Sequence, residues 1–149
     1  MIEACLVSGC HYLDITGEVS VFVAAHARHS DAQAAGVVLC PGAGFDVIPT
    51  DCVAATLKLA LPDATHLALG FDMFASMSPG TAKTTIESLG NGGLIRENGQ
   101  LRNTAVAADA RDIDFGRGVR HAASIPWGDV ATAYFSTAVP NIVVYMAMP

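Results

Sequence analysis

The strongest constraint on the fold lies between residues 36 and 62. There the apolar run GVVLC (residues 36–40) meets a glycine-bearing turn, PGAGFD (41–46), and then a helical stretch that stops at Pro62. A continuous apolar run of this length suits a parallel strand covered on both faces. Thr50 or Asp51 supplies an N-cap for a helix over 52–61, and proline ends it because its ring cannot continue the helical hydrogen bonding. Strand, tight turn and helix in that order belong to an α/β layer. The segments before it keep the same rhythm. Residues 1–9 read as the last turns of a helix closed by Gly9, and 11–17 as a strand running into a tight loop. Residues 18–35 form an Ala-rich helical stretch, broken where Ser30 and Asp31 offer a fresh N-cap.

After Pro62 the rhythm changes. Residues 65–74 alternate loosely as a strand, SPGT (78–81) opens a helix reaching about residue 89, and the glycine-rich segment 90–93 breaks it. Asn98-Gly99 between two short runs is a strong hairpin signal, because both residues tolerate positive φ. Residues 111–115 and 119–125 form a second antiparallel pair around Gly116-Arg117-Gly118, followed by a helix over 127–137 and a final apolar strand over 141–148. The expected fold is therefore an α/β layer over residues 1–52, followed over 53–149 by α+β with antiparallel strand pairs. No linker separates the two parts.

Composition narrows the function classes. Lys and Arg total 8 against 14 Asp and Glu, a net charge of -6, and no basic stripe interleaves with aromatics, which excludes capture of a nucleic-acid backbone. No apolar run approaches the ~20 residues of a membrane span. No secretory leader pattern opens the chain, so a cytoplasmic location is expected. Cys5, Cys10, Cys40 and Cys52 lack a CxxC spacing and are expected to stay reduced and pack as small hydrophobes. With 52% hydrophobic and 15% charged residues, against about 25% charged in an ordinary domain, the chain reads as a subunit or a fragment.

Among the chemical motifs, Gly42-Ala43-Gly44 has the strand-turn-helix setting of a dinucleotide fingerprint. The pattern then departs: Val47 holds the third glycine position, Ile48-Pro49 delays the helix, and Asp63 precedes the next strand. Two readings stay open, the edge of a ligand site and a glycine turn that packs strand against helix. Asp14, Thr16, Gly17 and Glu18 follow a strand, where α/β sheets bind ligands; Thr16 and Glu18 also suit helix caps. SPGTAKT (78–84) has Ala82 where a P-loop needs glycine before Lys83, leaving a helix N-terminus able to hold one anion or a capped helix with a solvated lysine. His26 with His29, and Cys5 with Cys10 and His11, lack the paired spacing of a closed zinc site, so no metal is expected. Cys40 and Cys52, read as buried, are not expected to act as nucleophiles. Arg117 and Trp127 read as a hairpin tip and a core residue.

Four strings, HYLDITGE (11–18), PGAGFDVIPTD (41–51), SPGTAKT (78–84) and WGDVATAY (127–134), resemble in order segments of the saccharopine dehydrogenase-like oxidoreductases, in the branch that contains the trans-acting enoyl reductases. The resemblance runs almost end to end. It implies a Rossmann domain for NADP or NAD, with residues 1–52 as the C-terminal part of that layer, a second domain for substrate and self-association, and hydride transfer to or from a C=N or C=C bond of a small-molecule or lipid-like substrate. It implies that Asp14, Thr16, Gly17, Glu18, Gly42, Gly44, Phe45 and Asp46 line the nicotinamide side, with Lys83 and Trp127 on the substrate side. It assigns no acid or base. It also places the GxGxxG turn upstream of residue 1, so the chain is expected to be an internal fragment that forms a homo-oligomer when complete and is inactive alone. The alternative is a non-catalytic ligand-binding or interaction module that retains part of the fold.

Overall fold

The computed structural model describes residues 1–72 and 92–148. The expected helix over 81–89, the string SPGTAKT and Lys83 lie outside the described residues. Helix α1 (Ile2–Ser8) ends at Gly9, whose φ of +68° turns the chain and lets Cys10 N–H bond back to the Cys5 carbonyl at 3.0 Å. Strand β1 (Tyr12–Leu13) then pairs in parallel with β2 (Leu39–Cys40), Tyr12 opposite Leu39. Helices α2 (Val19–Ala27) and α3 (His29–Ala35) make the crossover between them.

Three expectations about this part need correction. Both strands are only two residues long, and β2 is not covered on both faces, since Val38 is 56% exposed and Cys40 is exposed. The break before α3 falls at Arg28 rather than at Ser30-Asp31. Arg28 pairs with Glu3 on α1 and with Asp31, so a cation that ties α1 to α3 occupies the corner where a small capping residue was expected. Helix α4 (Ile48–Ala60) begins at Ile48, with Val47 as N-cap and Pro49 inside its first turn. Proline is at ease there because the first turn has no use for its missing N–H. Thr50 consequently sits within the helix and caps nothing.

The remaining strands form one mostly antiparallel sheet. Asn98 (φ +49°) and Gly99 (φ +79°) turn the hairpin between β4 (Gly93–Glu97) and β5 (Gln100–Thr104), as the sequence requires. A second hairpin joins β6 (Ala110–Asp114) to β7 (Val119–Ile125). Strand β8 (Asn141–Ala147) lies at the centre. Along one edge it pairs in parallel with β3 (His66–Phe71). Its other edge is shared: Ile142 faces Arg96 of β4, while Val144 to Ala147 face β7.

Helix α5 (Asp129–Thr137) packs on α4, and both cover this sheet. The core here is Ala54, Leu69, Val130, Ala133, Ile142 and Val144. A smaller cluster of Phe22, Val47 and Ala131 joins α2 and the glycine loop to α5. Buried Arg96 fixes the hairpin to α5, donating from Nε to the Val130 carbonyl and from Nη1 to the Gly99 carbonyl, both at 2.7 Å. The chain is thus a mixed α/β fold.

Candidate functional site

Three loops converge beyond the C-terminal end of the β1–β2 pair: residues 14–18, residues 41–47 and the turn before α5. Asp14 organises the first two. Its Oδ1 accepts the backbone N–H of Thr16 at 3.0 Å and of Gly42 at 2.7 Å, and its Oδ2 accepts the Tyr12 hydroxyl. Its own carbonyl accepts the Ala43 N–H at 2.7 Å. Burial works to raise the Asp14 pKa, but hydrogen bonds from Tyr12, Gly42 and Thr16 together outweigh it and hold the carboxyl below its ordinary value.

Two glycines are required where the loops meet α2 and α5. Gly42 has φ +71°, and a Cβ there would lie 2.5 Å from the Phe22 ring. At Gly128 a Cβ would lie 2.5 Å from Val47 and 2.7 Å from Phe22. The close approach lets Trp127 reach across and donate its indole N–H to the Asp46 carbonyl at 2.7 Å. Its ring leans on Phe71 of β3, centroids 4.9 Å apart.

The structure therefore brings Asp14, Thr16, Gly17, Gly42, Gly44, Asp46 and Trp127 into one neighbourhood. Gly17 stands against the Asp46 carboxylate and Gly44 against Ile15. Glu18 is the N-cap of α2 without using its side chain, and its N–H bonds to Thr16 Oγ1 at 3.2 Å. Phe45 is 86% exposed at the crest of the glycine loop, and Ile15 beside it is 77% exposed.

The loop amides face inward. Gly42 N–H and Ala43 N–H both go to Asp14, and Gly44 N–H goes to the Gly42 carbonyl at 2.7 Å. A phosphate cradle needs such donors free to point at the anion. This loop instead presents glycine backbone and the apolar side chains of Ile15 and Phe45.

The cysteines also depart from expectation. Cys10, Cys40 and Cys52 are exposed and Cys5 is half-buried. Apolar neighbours in sequence did not bury them, because β2 has an open face and Cys52 lies among the exposed Ile48 and Val53 on α4. His26 stacks on Phe135, with centroids 3.7 Å apart.

Asp129 and its pairing with Thr50, which the sequence marks only as a helix cap, escaped the sequence reading. Asp129, in the first turn of α5, is fully buried, and its Oδ1 lies 2.6 Å from Thr50 Oγ1 on α4. The signal was present as an acidic residue set among glycine, valine, alanine and threonine (GDVATA, 128–133). A groove of about 600 Å³ lies beside the loops, bounded by Phe22, His26, Val37, Pro41, Thr132 and Phe135.

No family model and no curated protein matches the sequence. Among the described residues, no helix is long and apolar enough to cross a membrane.

Proposed function

We propose that the chain is part of an NAD(P)-dependent oxidoreductase of the saccharopine dehydrogenase-like kind, transferring hydride to or from a C=N or C=C bond, and that the three loops form the wall on the nicotinamide side. One observation carries the reading. The loops stand past the C-terminal end of a parallel strand pair, the place where α/β sheets hold ligands, and they offer the exposed apolar side chains of Ile15 and Phe45 while the Gly42 and Ala43 amides are engaged with Asp14. That is a surface for an aromatic ring. It is the wrong surface for a pyrophosphate, whose glycine turn is not completed here because Val47 holds the third position.

When bound, the nicotinamide would donate or accept the hydride, and the protein's part is to position it. Asp14 fixes the two loops against each other, Gly44 keeps the surface beside Ile15 open, and Phe45 would cover the edge of a bound ring. Trp127 ties α5 to the same surface through Asp46 and carries the substrate side, with Lys83 as its proposed companion. A cofactor held by its ring alone binds weakly, because the charged half of the molecule has no site in these loops.

The test is a titration of the ¹⁵N-labelled chain with nicotinamide mononucleotide, NADPH and adenosine 2′,5′-bisphosphate at millimolar concentration, where Kd near 1 mM corresponds to about 4 kcal/mol. Both nicotinamide compounds should shift the amides of Gly17, Gly44 and Phe45 and the Trp127 indole, and the adenosine compound should not. Tight stoichiometric NADPH binding, or shifts confined elsewhere, would overturn the reading.

The alternative of a ligand-binding module draws support from the groove bounded by Phe22 and Phe135, which has the concave apolar character of small-molecule sites. Shifts that fall on Ala25, His26 and Val37 in the same titration would favour it.

A further inference from the structure

Asp129 has an unusual hydrogen-bond inventory for a carboxylate. It is fully buried, and among the described residues no cation pairs with it. Oδ1 meets Thr50 Oγ1 at 2.6 Å, and Oδ2 has no partner. Thr50 Oγ1 also lies 3.1 Å from the Val47 carbonyl. A hydroxyl has one hydrogen, while an ionised carboxylate and a carbonyl only accept. With Asp129 ionised, one of the two Thr50 contacts sets acceptor against acceptor, and a buried charge has at most one donor on its oxygens from another residue. With Asp129 protonated, its own O–H donates to Thr50 Oγ1, whose hydrogen then goes to the Val47 carbonyl. Both contacts are then used.

The charged groups around α5 do not reverse this. From α4, Asp51 adds a second negative charge, and its Oδ1 accepts the Ser136 hydroxyl at 2.9 Å. Lys58 of α4 reaches the Ala64 carbonyl instead. From β4, Arg96 is committed to the carbonyls of Val130 and Gly99 and to the Tyr134 ring. From α2, His26 lies against Phe135 near the far end of α5. In the ionised form a hydrogen bond from Thr50 and Asp129's own backbone N–H favour the anion, but burial is the largest effect, and with the charge of Asp51 it pushes the carboxyl up to about 6.

We propose that Asp129 is a positioning residue that is a neutral acid in mildly acidic solution and ionises toward neutral pH, and that the chain Asp129–Thr50–Val47 is a proton-dependent latch that seats the glycine loop in its protonated state. The link to the loop is steric. Val47 closes that loop, is the N-cap of α4, and lies against both Gly128 and Gly42, where an added Cβ would come 2.5 Å and 3.0 Å from its methyl groups. Proton loss at Asp129 removes the donor that directs Thr50 toward Val47, and the loop between Gly42 and Val47 loses its fixed seat. This inference rests on the loop contacts and is independent of what the loops bind.

The test follows the Asp129 carboxyl by ¹³C NMR from pH 4 to pH 8, with no ligand present. The carboxyl should titrate near 6, and the amides of Gly42, Gly44 and Val47 should shift with the same midpoint. In Asp129→Asn those amides should lose that step. In Thr50→Val the carboxyl should still titrate at a raised value while the Val47 amide no longer follows, which keeps the idea testable if the asparagine variant does not fold. A carboxyl titrating in the ordinary range near 4, or loop amides indifferent to it, would overturn the latch. So would a Val47 amide that still follows Asp129 in Thr50→Val.

Discussion

The two halves of the molecule are held together by different physics. In the sheet half, β8 bonds to neighbours on both edges, and the apolar side chains of Leu69, Val130, Ile142 and Val144 close over it. In the loop half, a parallel pair of two-residue strands leads into loops held by side-chain-to-backbone bonds at Asp14, Trp127 and Thr50, while Ile15, Val38 and Phe45 stay exposed. A ladder distributes stability over many similar contacts. A set of isolated anchors gives each one a local address, which suits surfaces that must keep a particular shape.

The sharpest way to break this contrast is in the core. Ile142→Ala should cost about 3 to 4 kcal/mol, because it removes buried methyl groups from a site that cannot collapse. Urea unfolding followed by circular dichroism should show one cooperative loss involving both halves. A loss confined to residues 12–47 would contradict the division. Next in size is Gly42→Ala, where a positive φ and the Phe22 ring together should cost about 2 kcal/mol. Here hydrogen exchange should quicken at Thr16 and Ala43 and leave Ile142 and Val144 protected.

Trp127→Phe should cost about 1 kcal/mol, one net hydrogen bond. Its effect should appear as faster exchange near Asp46, and unchanged exchange would mean that the indole bond does not hold the turn.

The smallest effect is confined to acid solution and separates two carboxylates. Asp14 has its pKa lowered by folding, so its contribution is complete above the ordinary carboxylate value and is lost as pH falls through its folded value. Asp129, raised to about 6, does the opposite: its contribution is complete below about 3.9 and is lost as pH rises to about 6. Asp14→Asn should therefore flatten the decline of Tm at the acid end and leave the fall toward pH 6 in place. A single shared effect of both substitutions would erase the distinction.

How much of this the sequence disclosed follows from the range of the interactions. Gly9 and Asn98-Gly99 act within a turn, and they mark a helix end and a hairpin where the structure has them. The start of α4 was misplaced because proline is judged as a breaker, whereas its effect depends on which turn it occupies. The parallel pairing of β3 with β8 left no local trace, since His66 finds Asn141 far along the chain. At the site, the loops 14–18 and 41–46 and Trp127 were picked out one by one, and the structure brings them together. Asp129 was passed over because a carboxylate at a helix start resembles an ordinary exposed first-turn acid, and burial is not written in that position.

The place of β8 also sets a timetable. Both hairpins can close soon after their own residues are made, yet β3, β4 and β7 have no common partner until residues 141–147 emerge. Pairing across so long a loop is slow, and strand edges left waiting are open to other chains. During synthesis local turns come first, a helical layer with an unfinished sheet next, and cooperative closure of this sheet only when β8 arrives. A ribosome-stalled chain that exposes residues 1–138 should be far more protease-sensitive around β3 than one that also exposes residues 139–149.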